Sequence, residues 1–161
     1  MTLLTERELG AWRSFLRAHA QVTRTLEAEL VAEQDLALPS YDVLLQLAES
    51  PARRLRMTEL ADRVMLSRSG LTRLVDRLVR EGLVERTSCP NDARGTNAVL
   101  TDAGLDRLRR AAPTHLRGVS EHVTSRLEDA ELDQLKHLML KLMTEPDPLP
   151  EAGCGGAQGV R

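Results

Sequence analysis

The sequence predicts a mainly α-helical chain with one small antiparallel β-hairpin. Three observations lead there. Aromatic residues make up only 2% of the 161 residues while apolar residues reach 42%, so the core rests on Leu, Ala and Val, which suit helices better than strands. Apolar positions recur at helical spacing through most of the chain. Two short strand-like runs, 83–87 and 96–100, flank the turn-forming stretch Pro90-Asn91-Asp92-Ala93-Arg94-Gly95.

The elements follow in order. Leu9, Trp12, Leu16, Val22, Leu26 and Leu30 form one stripe of a long helix from about Thr5 to Glu33. Pro39-Ser40 interrupts it, and Ser40 is placed to cap a second helix from Tyr41 to about Glu49, with Val43, Leu44, Leu45 and Leu47 inside. Ser50-Pro51 breaks the pattern and Leu55-Arg56 reads as extended. Thr58 is the expected cap of a third, short helix that buries Leu60, Val64 and Met65. After a turn at Leu66-Ser67, Ser67 caps a fourth helix to about Glu81, which Gly82 ends. The hairpin comes next. Thr101-Asp102 opens a fifth helix to about Val123, in which Pro113 should produce a kink. A sixth, from Asp129 to Met143, carries the stripe Leu132, Leu135, Leu138, Met139 and Leu142, and the Pro- and Gly-rich stretch 145–161 reads as a disordered tail.

Charge is distributed unevenly. The whole chain carries −2, yet residues 51–94 hold ten Arg against six acidic residues, a local net of +4. A basic centre in an acidic frame is an electrostatic footprint for a polyanion. No apolar run approaches the roughly 18 residues of a membrane span, and the N-terminus turns charged at Glu6, so a soluble, cytoplasmic chain without membrane partners is expected. Cys89 and Cys154 form no disulfide framework, and no Ser/His/Asp, paired-carboxylate or metal-ligand spacing suggests an enzyme, a cofactor or a metal site.

The fourth helix concentrates the functional signal. Leu71, Leu74, Val75 and Leu78 fall on one third of its circumference, and the opposite side carries Ser69, Thr72, Arg73, Asp76 and Arg80, flanked by Arg68 and Arg77. Such a helix fits a major groove, where Arg reads guanine edges and hydroxyls meet bases or phosphates. Its start at Ser67 offers free N–H groups to a phosphate. An isolated helix of this kind is more often a solvated face. Here a short helix precedes it by one tight turn, and a hairpin tipped by Arg94 and Gly95 follows, placed to enter a minor groove.

The stretches Arg56-Met57-Thr58-Glu59-Leu60-Ala61, Leu66-Ser67-Arg68-Ser69-Gly70-Leu71-Thr72-Arg73-Leu74-Val75-Asp76-Arg77-Leu78 and Glu81-Gly82-Leu83-Val84-Glu85-Arg86 resemble the MarR family of bacterial regulators. The wing Pro90 to Gly95 followed by Leu100-Thr101-Asp102-Ala103-Gly104 matches the family's Asp-x-Arg wing and the start of its next helix. The resemblance implies a winged helix-turn-helix plus a helical dimerisation region. It divides the chain into an N-terminal dimerisation helix (1–38), the DNA-binding region (39–100), C-terminal dimerisation helices (101–144) and the tail. It also implies an obligate homodimer on a palindromic stretch of double-stranded DNA, usually as a repressor, released by a small aromatic or acidic effector. Carried over by position, Ser67, Arg68, Ser69, Gly70, Thr72 and Arg73, with Arg77, face DNA from the fourth helix and Arg94 from the wing. Asp92 braces the wing and Asp76 orients Arg80 or Arg73. The family's usual basic residue between Asp92 and Arg94 is Ala93 here.

Three weaker signals stay open. Cys89 is either a thiol whose oxidation blocks DNA binding or a half-buried cysteine without a role, and the family's peroxide sensors carry their reactive Cys near the N-terminus, where this chain has none. His19, His115, His122 and His137 are scattered and read as surface or interface residues. Trp12, Phe15, His19 and Tyr41 either line an effector pocket between the first two helices or belong to the core. A winged-helix protein-interaction module is the rival to DNA binding.

Overall fold

The computed structural model describes residues 4–89 and 92–143, with side chains omitted at 89 and 92–95. Helix α1 (Glu6–Gln34) starts in a reciprocal cap: Thr5 Oγ1 accepts from the Glu8 N–H, and the Glu8 carboxylate accepts from the Thr5 N–H at 2.7 Å. It ends at Asp35, whose left-handed backbone (φ 49°) turns the chain.

Helix α2 (Leu38–Glu49) begins three residues before the sequence suggests, and Ser40 does not cap it. Pro39 lies in the first turn, where a missing N–H costs nothing, and Glu27 of α1 accepts from the Leu38 N–H at 2.5 Å. The cap is thus tertiary. Ser40 is buried inside the helix, with Val43, Leu44 and Leu47 on the same core.

A short 3-10 turn (Pro51–Arg53) leads to strand β1 (Arg54–Arg56) and then helices α3 (Met57–Arg63) and α4 (Arg68–Arg80). Arg56, not Thr58, is the residue at the N-cap position of α3, and its side chain makes no cap bond. Met65, expected in the core, is 88% exposed. The reason is backbone geometry. Met65 takes a left-handed conformation (φ 52°) just beyond α3, so the N–H groups of Met65 and Leu66 reach back to the carbonyls of Asp62 and Ala61. Glycine usually holds this position, and a methionine there points outward.

Strands β2 (Val84–Cys89) and β3 (Asp92–Leu100) form the hairpin, with Val84 opposite Leu100 and a register shift between Ser88 and Cys89. β3 starts four residues earlier than the apolar pattern suggests. The extended piece at Leu55 becomes the third strand, paired antiparallel with β3 through Leu55 and Ala98, giving the order β1-β3-β2. Helix α5 (Asp102–His122) is capped by Thr101 and continues through Pro113.

Residues 4–126 form one compact unit around a single core. Leu26 and Leu30 of α1, Leu60 of α3, the α4 row Leu71, Leu74, Val75 and Leu78, Val84 and Ala98 of the sheet, and Leu108 and Ala111 of α5 all meet in it. Fully burying each large side chain contributes about 1.5–3 kcal/mol before entropy is counted. Residues from Leu127 onward form a second unit, whose helix α6 (Asp129–Leu142) starts in a reciprocal cap between Glu128 and Glu131 and exposes Leu135, Leu138, Leu140 and Leu142. The tail from 144 lies outside the described residues.

Candidate nucleic-acid interface

Helix α4 is held on its inner side by four buried residues and at both ends by backbone devices. At its start the Ser67 hydroxyl accepts from the Gly70 N–H at 3.1 Å. A Cβ at Gly70 would lie 3.1 Å from that hydroxyl, so the glycine keeps the cap uncrowded. At its end Gly82 (φ 72°) lets the Gly82 and Leu83 N–H groups return to the carbonyls of Val79 and Leu78 at 3.0 and 2.9 Å. The helix therefore presents its outer face as a rigid unit.

That face divides into free and committed groups. Ser67, Arg68, Ser69, Thr72 and Arg73 are all exposed. Among the described residues, neither Arg68 nor Arg73 has a hydrogen-bond or ion-pair partner for its guanidinium. The Thr72 hydroxyl donates to the Arg68 carbonyl at 2.8 Å and keeps its lone pairs as acceptors. Arg77 is placed differently from the expectation. Its guanidinium donates to the buried Ser40 hydroxyl at 2.8 Å and lies 3.9 Å from Glu81, so it ties α4 to α2.

Asp76 pairs with neither Arg73 nor, through its carboxylate, Arg80, which donates to the Asp76 carbonyl at 3.3 Å. The carboxylate binds Arg86 of β2 at 2.9 Å, and Arg86 also reaches the Thr72 carbonyl at 3.4 Å. The sheet is thereby keyed to the helix on its outer side. The side chains of Arg94, Asp92 and Cys89, and residues 90–91 of the expected turn, lie outside the described residues, as does Cys154.

The four residues named for an effector pocket do not come together. Trp12, Phe15 and His19 form an exposed ladder along α1, with ring centres 6.0 and 6.5 Å apart. Tyr41 is 3% exposed and packs on His115 of α5 at 4.5 Å. Burial raises the Tyr41 pKa, aided by Asp42 and Glu49, and burial lowers that of His115. His19 alone borders a groove of about 520 Å³ between α1 and α2, shared with Arg24, Glu27, Leu38, Pro39 and Asp42. Burial, and then the Glu27 charge, push Asp42 up to about 6.

A short helix, a tight turn, a second helix whose outer face carries exposed hydroxyls and two Arg without partners among the described residues, and a three-stranded sheet keyed to that helix define a winged helix-turn-helix. Relatives agree with this class. The family profile described as MarR family matches residues 34–95. Sco3205, a MarR family transcriptional regulator from Streptomyces coelicolor solved in complex with DNA, superposes with a TM-score of 0.83 at 39% identity, covering 88% of this chain and 89% of that one. An uncharacterized HTH-type transcriptional regulator of Bacillus cereus is 30% identical over 142 residues, 87% of this chain and 92% of the relative. The HTH-type transcriptional repressor YetL of Bacillus subtilis is 31% identical over 108 residues, 67% of this chain and 64% of the relative. The chain belongs to the MarR family. It is a DNA-binding transcription regulator and not an enzyme. Among the described residues no helix is long and apolar enough to cross a membrane.

Proposed function

We propose that this regulator acts in the cytoplasm as a homodimer that represses transcription from a palindromic operator and is released by a small aromatic or acidic ligand. The observation that carries the reading is the outer face of α4, where Ser67, Arg68, Ser69, Thr72 and Arg73 stand exposed with both guanidinium groups free of partners among the described residues. Arg73 contacts base edges, Arg68 and the Ser67 cap contact phosphate, and Arg94 enters the adjacent minor groove from a wing braced by Asp92. Arg77 acts at one remove, fixing the angle of α4 through Ser40.

Dimerisation is supported by apolar surface that one copy leaves uncovered. Trp12, Phe15 and Leu16 on α1 are 53%, 39% and 44% exposed, and α6 exposes Leu135, Leu138 and Leu142. Two copies related by a two-fold axis read two half-sites about one helical turn, or roughly 10 bp, apart. Sco3205 was solved in complex with DNA and YetL is named a repressor, which supports operator binding and the sign of regulation. The groove between α1 and α2, lined by His19 and Arg24 together with the carboxylates of Glu27 and Asp42, is the place we assign to such an effector.

Selection of duplexes from a random pool tests this reading. An enriched inverted repeat with half-sites about 10 bp apart is expected. Enrichment of single, unrepeated sites would remove the dimeric part, and no enrichment at low salt would remove the operator reading altogether.

A further inference from the structure

Apart from the helix α4 face, the described residues hold one cluster with metal-ligand chemistry. Glu29, on the C-terminal half of α1, lies against the last turn of α5, where His122 Nε2 is 2.5 Å from Glu29 Oε1. Glu121 adds a second carboxylate, and one ligating atom from each of the three residues lies within 4.8 Å of the others. Glu29 Oε2 is shut away from solvent and has no hydrogen-bond partner. It fits because position 118 is glycine: a Cβ there would lie 2.5 Å from that oxygen. A buried carboxylate oxygen without a donor is costly, and a cation held by this carboxylate would offset that cost. A cavity of about 200 Å³ opens beside His122, lined by Gln21, Val22, Thr25 and Arg126.

We propose that Glu29, Glu121 and His122 form a binding site for a divalent transition-metal cation such as zinc, cobalt or manganese. Two carboxylates and one imidazole are a ligand set of borderline hardness, and three protein ligands leave a coordination position for water or a small anion. A metal about 2.0–2.2 Å from each ligand takes the place of the His122–Glu29 hydrogen bond, and requires those two atoms to part by roughly 1 Å. Neighbouring cations are already engaged. Arg126 donates to the Glu121 carbonyl at 3.1 Å, and Arg117 is bound to Glu33, with Glu121 farther off at 4.0 Å. Residue spacing carries no sign of the site, since Glu29 sits far from the adjacent pair Glu121-His122 and no helical ligand repeat exists. The inference is independent of how the protein reads DNA.

The test uses the full chain without a histidine tag, stripped with a chelator and titrated with Co²⁺ while its absorption spectrum is followed. Saturable binding of one Co²⁺ per chain is expected, with visible ligand-field bands and no near-ultraviolet thiolate band. Glu121 is exposed, so Glu121→Gln keeps the fold, as circular dichroism will verify, and weakens binding at least about tenfold, as does His122→Ala. Metal should also raise the melting temperature of the wild type, and by less that of Glu121→Gln at the same metal concentration. Absence of saturable binding at millimolar metal overturns the proposal. Binding that both variants leave unchanged does so too, and so does a thiolate band, which would put the metal on Cys89 or Cys154.

Discussion

Replacing Gly104 with alanine should destabilise this protein although it adds a better helix former. Gly104 lies in the first turn of α5 and is packed against the start of β2. An alanine Cβ there would stand 2.1 Å from the Leu83 carbonyl oxygen and 2.7 Å from Leu100 Cδ1. The carbonyl cannot retreat easily. It accepts from the Thr101 N–H at 3.2 Å, the Leu83 N–H is bonded to the Leu78 carbonyl at 2.9 Å, and the Thr101 hydroxyl donates to the Gly82 carbonyl at 2.8 Å. Overpacking against pinned backbone costs about 3 kcal/mol, at the upper end of such substitutions. Helix propensity returns at most about 1 kcal/mol. The net loss is about 2 kcal/mol, a fall in melting temperature of roughly 4–8 °C for a chain of this size. Gly10 is the control: on α1, a Cβ there meets nothing within 4 Å, so Gly10→Ala should raise the melting temperature by about 2–4 °C. Thermal unfolding by circular dichroism at one fixed protein concentration reads both. A Gly104→Ala variant as stable as the wild type would refute the close α5–β2 contact.

Two further outcomes follow from the polar contacts. The Asp76–Arg86 pair is partly exposed, so a double-mutant cycle with Asp76→Ala and Arg86→Ala in urea should give a coupling of about 0.5–1 kcal/mol, and a coupling of zero would mean that sheet and helix are not keyed there. Asp42 tests the pH dependence. Its pKa is raised from 3.8 to about 6 in the folded chain, so the folded state holds the proton more tightly than the unfolded state. Its ionisation costs nothing below about pH 4, costs progressively more between pH 4 and 6, and costs its full amount above. Asp42→Asn should therefore gain on the order of 1–2 kcal/mol above pH 7 and nothing below pH 4. A difference that does not change with pH would sink this account.

What is legible in the sequence is what local pattern encodes. Helix α4 is, because its buried row, its Ser67 cap and its Gly82 stop all lie within one short segment. The pairing of Leu55 with Ala98 is not, since a three-residue strand carries too little periodicity. Ser40 resembles a cap because Ser before an apolar run usually is one, whereas Glu27, eleven residues before Leu38, supplies the acceptor. Met65 reads as buried because periodicity takes no account of a left-handed helix end. The same limit applies to the site. Exposure of Arg68 and Arg73 follows from the helical wheel, but the commitment of Arg77 to Ser40 and of Asp76 to Arg86 depends on contacts across 37 and 10 positions. Arg86 belongs to the stretch 81–86 that carries the family resemblance, but nothing in the sequence names Asp76 as its partner.

The central claim is that Arg73 reads bases from the exposed face of α4. The direct measurement is affinity, by fluorescence anisotropy, for the selected duplex and for versions with each base pair changed, comparing wild type with Arg73→Ala. The variant should bind the selected duplex at least about tenfold more weakly, and its preference should relax at one symmetry-related pair of positions while others stay discriminated. Equal affinities and an unchanged base preference would contradict the claim.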